Sequence, residues 1–256
     1  MSYRHKKQFG QHFLRDQRVI EKTIAQLKED YPAGNLLEVG PGEGVLTRHL
    51  YDLDEYQLHI SEIDRDLLPA LEAEFSLPES CWLRGDFLKA DLGSLPAPLA
   101  VIGNFPYNIS TQIVFKVLAH RERVPYVLGM FQKEVGERLA AGPGSKTYGI
   151  TSVLASAYYD ICCHFTIAPG AFHPPPAVDS VILSMKRKPV ESFPVNSFER
   201  LQRVVKTAFS QRRKTLRNSL KSLTFSSEWP VPEWQGLRPE QLPVSAFDQI
   251  ASCLPD

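Results

Sequence analysis

Gly103-Asn104-Phe105-Pro106-Tyr107-Asn108 combines an amide, a constrained turn and a flat aromatic face, which suits recognition of an exocyclic amine on a planar ring. The Asn amide can accept from such an amine, and the Tyr face can stack on the ring. Proline holds φ near about −65° and removes a donor, so neighbouring carbonyls can face a pocket. About sixty residues upstream lies the glycine-rich stretch Gly40-Pro41-Gly42-Glu43-Gly44. Alone, an Asn-x-Pro-Tyr segment is more often a proline turn after a strand. Behind a glycine-rich cofactor turn it reads as a site for methylating the amino group of a nucleic-acid base.

Residues Leu36 to Thr47 follow a strand, glycine turn and helix-start pattern. The glycines permit positive φ and close backbone approach to a ligand over the carboxyl ends of strands. Their spacing is GxGxG, with Val45 where a dinucleotide fingerprint continues, and no Lys-Ser/Thr follows as a phosphate loop requires. Ser61-Glu62-Ile63-Asp64 closes the second strand about twenty residues after the first glycine, where a carboxylate, Glu62 or Asp64, can accept from ribose hydroxyls. Gly85-Asp86-Phe87 closes the third, where Asp86 can accept from an adenine amino group beside an apolar neighbour. Any one of these acids could be a solvated strand end. Together, at successive strand ends, they point to an adenosine-containing cofactor.

The elements that must position these groups alternate in type. Strands are predicted at 35–39, 57–62, 81–85, 99–103, 125–131, 159–167 and 178–186, with helices at 18–29, 44–52, 65–75, 109–120, 133–141 and 147–157. Alternation implies a mostly parallel sheet covered on both faces, and the last two strands, with no helix between them, require one antiparallel member. The expected fold is α/β: a Rossmann-like methyltransferase sheet of seven strands, the last one antiparallel, with a small C-terminal all-α domain. Pro-rich residues around 188–194 suggest a hinge, followed by helices at 197–210, 212–222 and 239–253 and a connector at Trp229-Pro230-Val231-Pro232. The expected domains are therefore 1–187 and 188–256.

A chain of 256 residues accommodates one ordinary domain and a small second one. No apolar run approaches the roughly 18 residues needed to span a bilayer, and the basic start lacks a secretory apolar region, so a cytoplasmic protein is expected. Cys81, Cys162, Cys163 and Cys253 form no CxxC pair, which argues against zinc and disulfides, and the adjacent Cys162-Cys163 reads as core packing. Net charge is zero but unevenly spread: residues 1–22 carry six basic against two acidic groups, and 186–221 carry eleven against two. That asymmetry suits a local phosphate-contacting surface, although a solvated helix face would look similar.

Taken together these residues resemble the ribosomal RNA adenine dimethyltransferases, and within them the small-subunit (16S) branch, the kasugamycin dimethyltransferases. The resemblance rests on Lys6-Lys7-Gln8-Phe9-Gly10-Gln11-His12-Phe13-Leu14, Leu37 to Gly44, Gly103 to Thr111, Phe172 to Ser180, and Gln211 to Leu220 (QRRKTLRNSL). It implies S-adenosyl-L-methionine as cofactor, with His12 and Leu14 on its methionine side, Gly40 and Gly42 approaching by backbone, Glu62 at the ribose and Asp86 at the adenine end. It implies that Asn104 lies between cofactor and target base, that Phe105, Pro106 and Tyr107 complete the catalytic segment, and that Tyr107 and Phe172 sandwich the target adenine. Lys6, Lys7, Arg203, Lys206, Arg212, Arg213, Lys214 and Arg217 would then contact RNA. No metal is implied, and a monomer is the expectation. The implied substrate is an assembling small ribosomal subunit, dimethylated on the amino groups of two adjacent adenosines near the 3′ end of its 16S rRNA. Phe105 departs from the Leu or Ile usual in the family, which bears on the pocket wall. Competing readings are a large-subunit enzyme of the erythromycin-resistance type, a DNA adenine methyltransferase, and a non-catalytic assembly factor. The N-terminal and QRRKTLRNSL motifs, Phe105 in place of a second proline, and the intact cofactor residues argue against these in turn.

Overall fold

A computed structural model describes residues 12–226 and 229–255. In chain order the elements are β1 (Phe13–Leu14), α1 (Gln17–Asp30), β2 (Gly34–Val39), α2 (Val45–Tyr51), β3 (Tyr56–Glu62), α3 (Leu68–Glu74), β4 (Trp82–Arg84), β5 (Leu99–Asn104) and α4 (Ser110–Ala119). They continue with β6 (Tyr126–Gln132), α5 (Lys133–Leu139), α6 (Ile150–Ser156), β7 (Tyr159–Ile167), β8 (Phe172–His173), β9 (Ser180–Arg187), α7 (Phe198–Ser210), α8 (Leu216–Ser219) and α9 (Val244–Ser252).

Seven strands form one sheet in the order β4-β3-β2-β5-β6-β9-β7. The pairs from β4 through to β6 are parallel, and β9 runs antiparallel to β6, as the helix-free passage between the last two strands requires. Runs such as Leu99-Ala100-Val101-Ile102 are completely buried, as expected of parallel strands covered on both faces. Strand order reverses around β2, which pairs with β3 on one side and β5 on the other. A crevice at the carboxyl ends of strands beside such a reversal is the usual ligand position in open α/β sheets. β1 and β8 form a separate two-stranded antiparallel ladder, Phe13 opposite His173 and Leu14 opposite Phe172. Two-residue strands carry no readable periodicity, so the sequence does not announce them.

The chain divides into two compact units, 1–136 with 162–187, and 137–161 with 188–256. This differs from the expected division at 187 alone, because 137–161 group with the helical unit. Side-chain and backbone contacts explain why: the edge of Tyr148 meets Phe209 with centroids 6.1 Å apart, Gly144 N donates to the Glu240 backbone carbonyl at 2.7 Å, and Arg212 Nη2 donates to Ser145 O at 3.2 Å. Within this unit α7 buries Phe198, Leu201, Val204, Val205 and Ala208, one face at helical spacing, and leaves Arg203 and Lys206 exposed.

Two predicted helices are shorter than expected. Residues 211–214 form a turn, with Lys214 N donating to Gln211 O at 2.8 Å, so only Leu216–Ser219 is helical of the expected 212–222. Of 239–253, α9 starts at Val244, because Pro243 cannot supply an amide to a continuing helix. The expectation that Cys162 and Cys163 pack in the core is also corrected: both are exposed, because β7 is an outer strand of the sheet. Among the described residues no helix is long and apolar enough to cross a membrane.

Candidate active site

A cavity of about 290 Å³ opens in the first unit, walled by residues that follow β2, β3, β4 and β5. On the β2 side, Gly40 N donates to Ser61 O at 2.9 Å, tying the glycine turn to the neighbouring strand. Gly42 has φ of 61°, and a Cβ there would lie 2.5 Å from Phe13 Cε1, so glycine is required both by conformation and by space. The turn therefore offers backbone where side chains would otherwise fill the cradle.

At the end of β3, Glu62 is 4% exposed and lines the cavity. Its carboxylate accepts from Asp64 N at 2.8 Å and Gly42 N at 3.3 Å. Burial raises its pKa, and those amides oppose the rise by favouring the charged form. Asp64, the alternative acid, accepts from Asp66 N at 3.0 Å in its own turn and is absent from the cavity wall. After β4, Asp86 uses Oδ1 to accept from Leu88 N at 2.9 Å, and its second oxygen is the one available to a ligand's amino group. Ile63, Phe87 and Leu88 add apolar wall beside it. Lys116 of α4 staples this loop, donating to Leu88 O at 3.1 Å and Ala90 O at 2.5 Å with its ammonium 5.5 Å from the Phe87 ring centre.

The Asn104–Tyr107 segment forms the other wall. Asn104 Nδ2 donates to the His12 carbonyl at 2.5 Å, so the amide oxygen is the end left to accept from a substrate. The Pro106 and Tyr107 carbonyls accept from Ile109 N at 3.0 Å and Ser110 Oγ at 3.2 Å, and among the described residues none donates to the Phe105 carbonyl. The Tyr107 hydroxyl hydrogen-bonds Ser180 Oγ, and its ring stacks on His12 with centroids 5.4 Å apart and planes at 30°. His12 is itself anchored through Nδ1 to Pro174 O at 2.8 Å. One chain of contacts thus orients an acceptor and an aromatic platform together.

The cavity brings together His12, Gly40, Gly42, Glu62, Asp86, Asn104, Phe105, Pro106 and Tyr107 of the sequence-predicted residues. It does not include Leu14 or Phe172, which pair across β1 and β8 and pack into the core at 4% exposure each. Phe13 takes the wall position expected of Leu14, because successive residues of a strand point to opposite sides. Of the RNA-contact set, Lys6 and Lys7 lie outside the described residues. Arg203, Lys206, Arg213, Lys214 and Arg217 are exposed in the helical unit. Arg212 is half-buried between Ser145 O and, at 3.8 Å, the Glu240 carboxylate, and so serves that unit's own packing. Sequence reasoning missed Phe13, Lys116 and Ser180 as supports. Ser180 had a signal, since it closes a motif already singled out, whereas Lys116 resembles any other helical lysine.

Beneath the glycine turn, Glu38 is 1% exposed, and burial, followed by the nearby Glu62 charge, pushes its pKa up to about 8. A carboxyl whose pKa is raised on folding holds its proton more tightly when folded. Its contribution is complete below the ordinary value of 4.5 and is lost as pH rises toward 8. The ligand-free protein is expected to lose stability across that window, and Glu38→Gln to lose roughly 3–5 kcal/mol less. Thermal melts of both proteins from pH 5 to 8.5 would check this. Parallel curves would show that Glu38 is not the group responsible.

Comparison with solved structures first defines the class. A dimethyladenosine transferase from Plasmodium falciparum superposes with a TM-score of 0.74 at 23% identity, over 93% of this chain and 96% of that one. The 23S rRNA methyltransferase ErmE superposes at 0.67 with 26% identity, over 93% and 99%. The fold is a Rossmann-like methyltransferase fold. The sequence model described as "Ribosomal RNA adenine dimethylase" matches residues 2–237, so the chain belongs to that family and is an rRNA adenine dimethyltransferase. The protein called ribosomal RNA small subunit methyltransferase A in Cytophaga hutchinsonii is 45% identical over 97% of this chain and 96% of its own length. Those of the same name in Parabacteroides distasonis and Pseudomonas syringae pv. syringae are 44% and 43% identical, over 96% and 98% of this chain and 92% and 95% of theirs.

Proposed function

We propose that the protein dimethylates the amino nitrogens of two adjacent adenosines near the 3′ end of small-subunit rRNA, using S-adenosylmethionine and acting on an assembling subunit. The observation that carries this reading is the tether between the Asn104 amide nitrogen and the His12 carbonyl, which commits the amide oxygen to accepting. S-adenosylmethionine, when bound, supplies a methyl group activated by its sulfonium. The chemistry of the cavity fits it: Glu62 accepts from a ribose diol, Asp86 from an adenine amino group, and Gly40 and Gly42 admit close backbone approach.

For the target, the Asn104 amide oxygen and the Phe105 carbonyl accept the two hydrogens of the adenine amine. This turns its nitrogen toward tetrahedral geometry and aims its lone pair away from the ring. Tyr107 supplies a stacking face, steadied by Ser180 and His12. The methylated amine is acidic enough to pass its proton to water, so no strong base is needed. Reaching the cavity requires the adenine to leave its stack, which costs least in a loop or single strand. Arg203, Lys206, Arg213, Lys214 and Arg217 hold phosphates of that RNA.

Methyl transfer to undermethylated small subunits and to large subunits, followed by nucleoside analysis, tests the reading. Dimethyladenosine is expected in the small-subunit RNA only. Label in large-subunit RNA would overturn the choice of target, and absence of label in either would overturn the reaction.

A further inference from the structure

The catalytic segment is anchored in the sheet through the Phe105 ring. Gly103 and Gly129 stand opposite one another across the β5–β6 pair, so one rung of the parallel sheet carries no side chain on either strand. The Phe105 ring lies over that rung. A Cβ on Gly129 would fall 2.2 Å from Phe105 Cε2 and 2.6 Å from Cδ2, and one on Gly103 would fall 3.2 Å from the same ring. Phe105 is 1% exposed, and its ring meets Phe131 edge-on with centroids 5.2 Å apart. Glycine inside a strand often marks close approach of another group, and here that group belongs to the segment that lines the cavity.

We propose that the Gly103–Gly129 gap is a seat for the Phe105 ring, and that Gly129, acting through Phe105, is a positioning residue for methyl transfer. The proposal rests on the reading of Asn104 and the Phe105 carbonyl as the groups that hold the substrate amine. The seat gives the Phe105 ring a packing partner on two adjacent strands. It also gives the turn a rigid reference in the sheet. Carbon atoms pack at about 3.5–4.0 Å, so a methyl group at 129 must displace the ring by more than about 1 Å. The backbone carbonyl of Phe105 then moves with its side chain.

The test is the kinetics of Gly129→Ala, Phe105→Leu and the F105L/G129A double variant, each with a measured cofactor Kd and melting temperature. Gly129→Ala is expected to lower kcat by about a hundredfold, the order expected for a displacement of about 1 Å at the reacting groups, with cofactor Kd unchanged. The double variant is expected to run at the rate of Phe105→Leu alone, because Leu ends at Cδ and removes the Cε2 atom that a Cβ at 129 would meet at 2.2 Å. A normal kcat in Gly129→Ala would overturn the proposal, as would a double variant no faster than the single one. If Gly129→Ala fails to fold, the double variant decides: folding with the kcat of Phe105→Leu alone supports the seat, and a lower kcat overturns it. Asn104→Ala measured alongside separates the two claims. An active Asn104→Ala sinks the reading of the segment, whereas an inactive one beside a normal Gly129→Ala sinks only the seat.

Discussion

Replacing Asn104 with Ala is expected to lower kcat by about a hundred- to a thousandfold, the range seen when one oriented hydrogen-bonding group is removed from a reacting centre. RNA affinity and cofactor affinity should change little. The side chain makes one structural hydrogen bond, from Nδ2 to the His12 carbonyl, and losing such a bond costs about 1 kcal/mol of stability. A kinetic loss much larger than the stability loss would therefore report orientation of the amine rather than damage to the fold. Asn104→Asp sharpens the test. A carboxylate keeps an acceptor but cannot donate, so it would face the His12 carbonyl oxygen with like polarity. Its kcat is expected to fall as well, because the acceptor loses the tether that aims it. Single-turnover methylation of small subunits, with RNA binding measured separately, distinguishes these cases. An Asn104→Ala enzyme of near-normal rate would remove the segment from the mechanism.

The paired replacement of Arg213 and Lys214 by Ala is expected to weaken RNA binding and to make its salt dependence shallower by roughly 1.4–1.8 in the slope of log affinity against log salt. Both side chains are exposed, so removing their charge should leave the melting temperature nearly unchanged. Arg212 should behave differently. Its guanidinium bonds the Ser145 carbonyl and lies near Glu240, so Arg212→Ala is expected to lower stability more than it alters the salt slope. Binding titrations at several salt concentrations, paired with thermal melts, would separate the two roles. An unchanged slope in the double variant would move the RNA contact to another face of the helical unit.

The contrast between Arg212 and its neighbours marks where sequence reading stops. In QRRKTLRNSL three adjacent cations look equivalent, and the predicted helix through 212–222 would place them at regular angles around one axis. The structure replaces the start of that helix with a turn at 211–214 and uses the first cation in packing. Leu14 and Phe172 make the same point in the first unit. Both belong to motifs that read as site residues, yet pairing of β1 with β8 turns them into the core and gives the wall to Phe13.

What the sequence determined by itself was the sheet, its one antiparallel strand, and the residues at the strand ends: Gly40, Gly42, Glu62, Asp86 and Asn104. These were legible because burial periodicity and turn chemistry are local, and because a parallel sheet delivers the ends of successive strands to one edge regardless of details elsewhere. Tertiary structure alone decided which end of the Asn104 amide is left to accept, that Phe13 rather than Leu14 lines the cavity, and where the Phe105 ring is seated. Each depends on a contact between residues distant in the chain, as between Asn104 and His12, or Phe105 and Gly129. Hydrogen-bond direction and close packing are set by three-dimensional approach to within a few tenths of an ångström, and no spacing along a sequence encodes that approach.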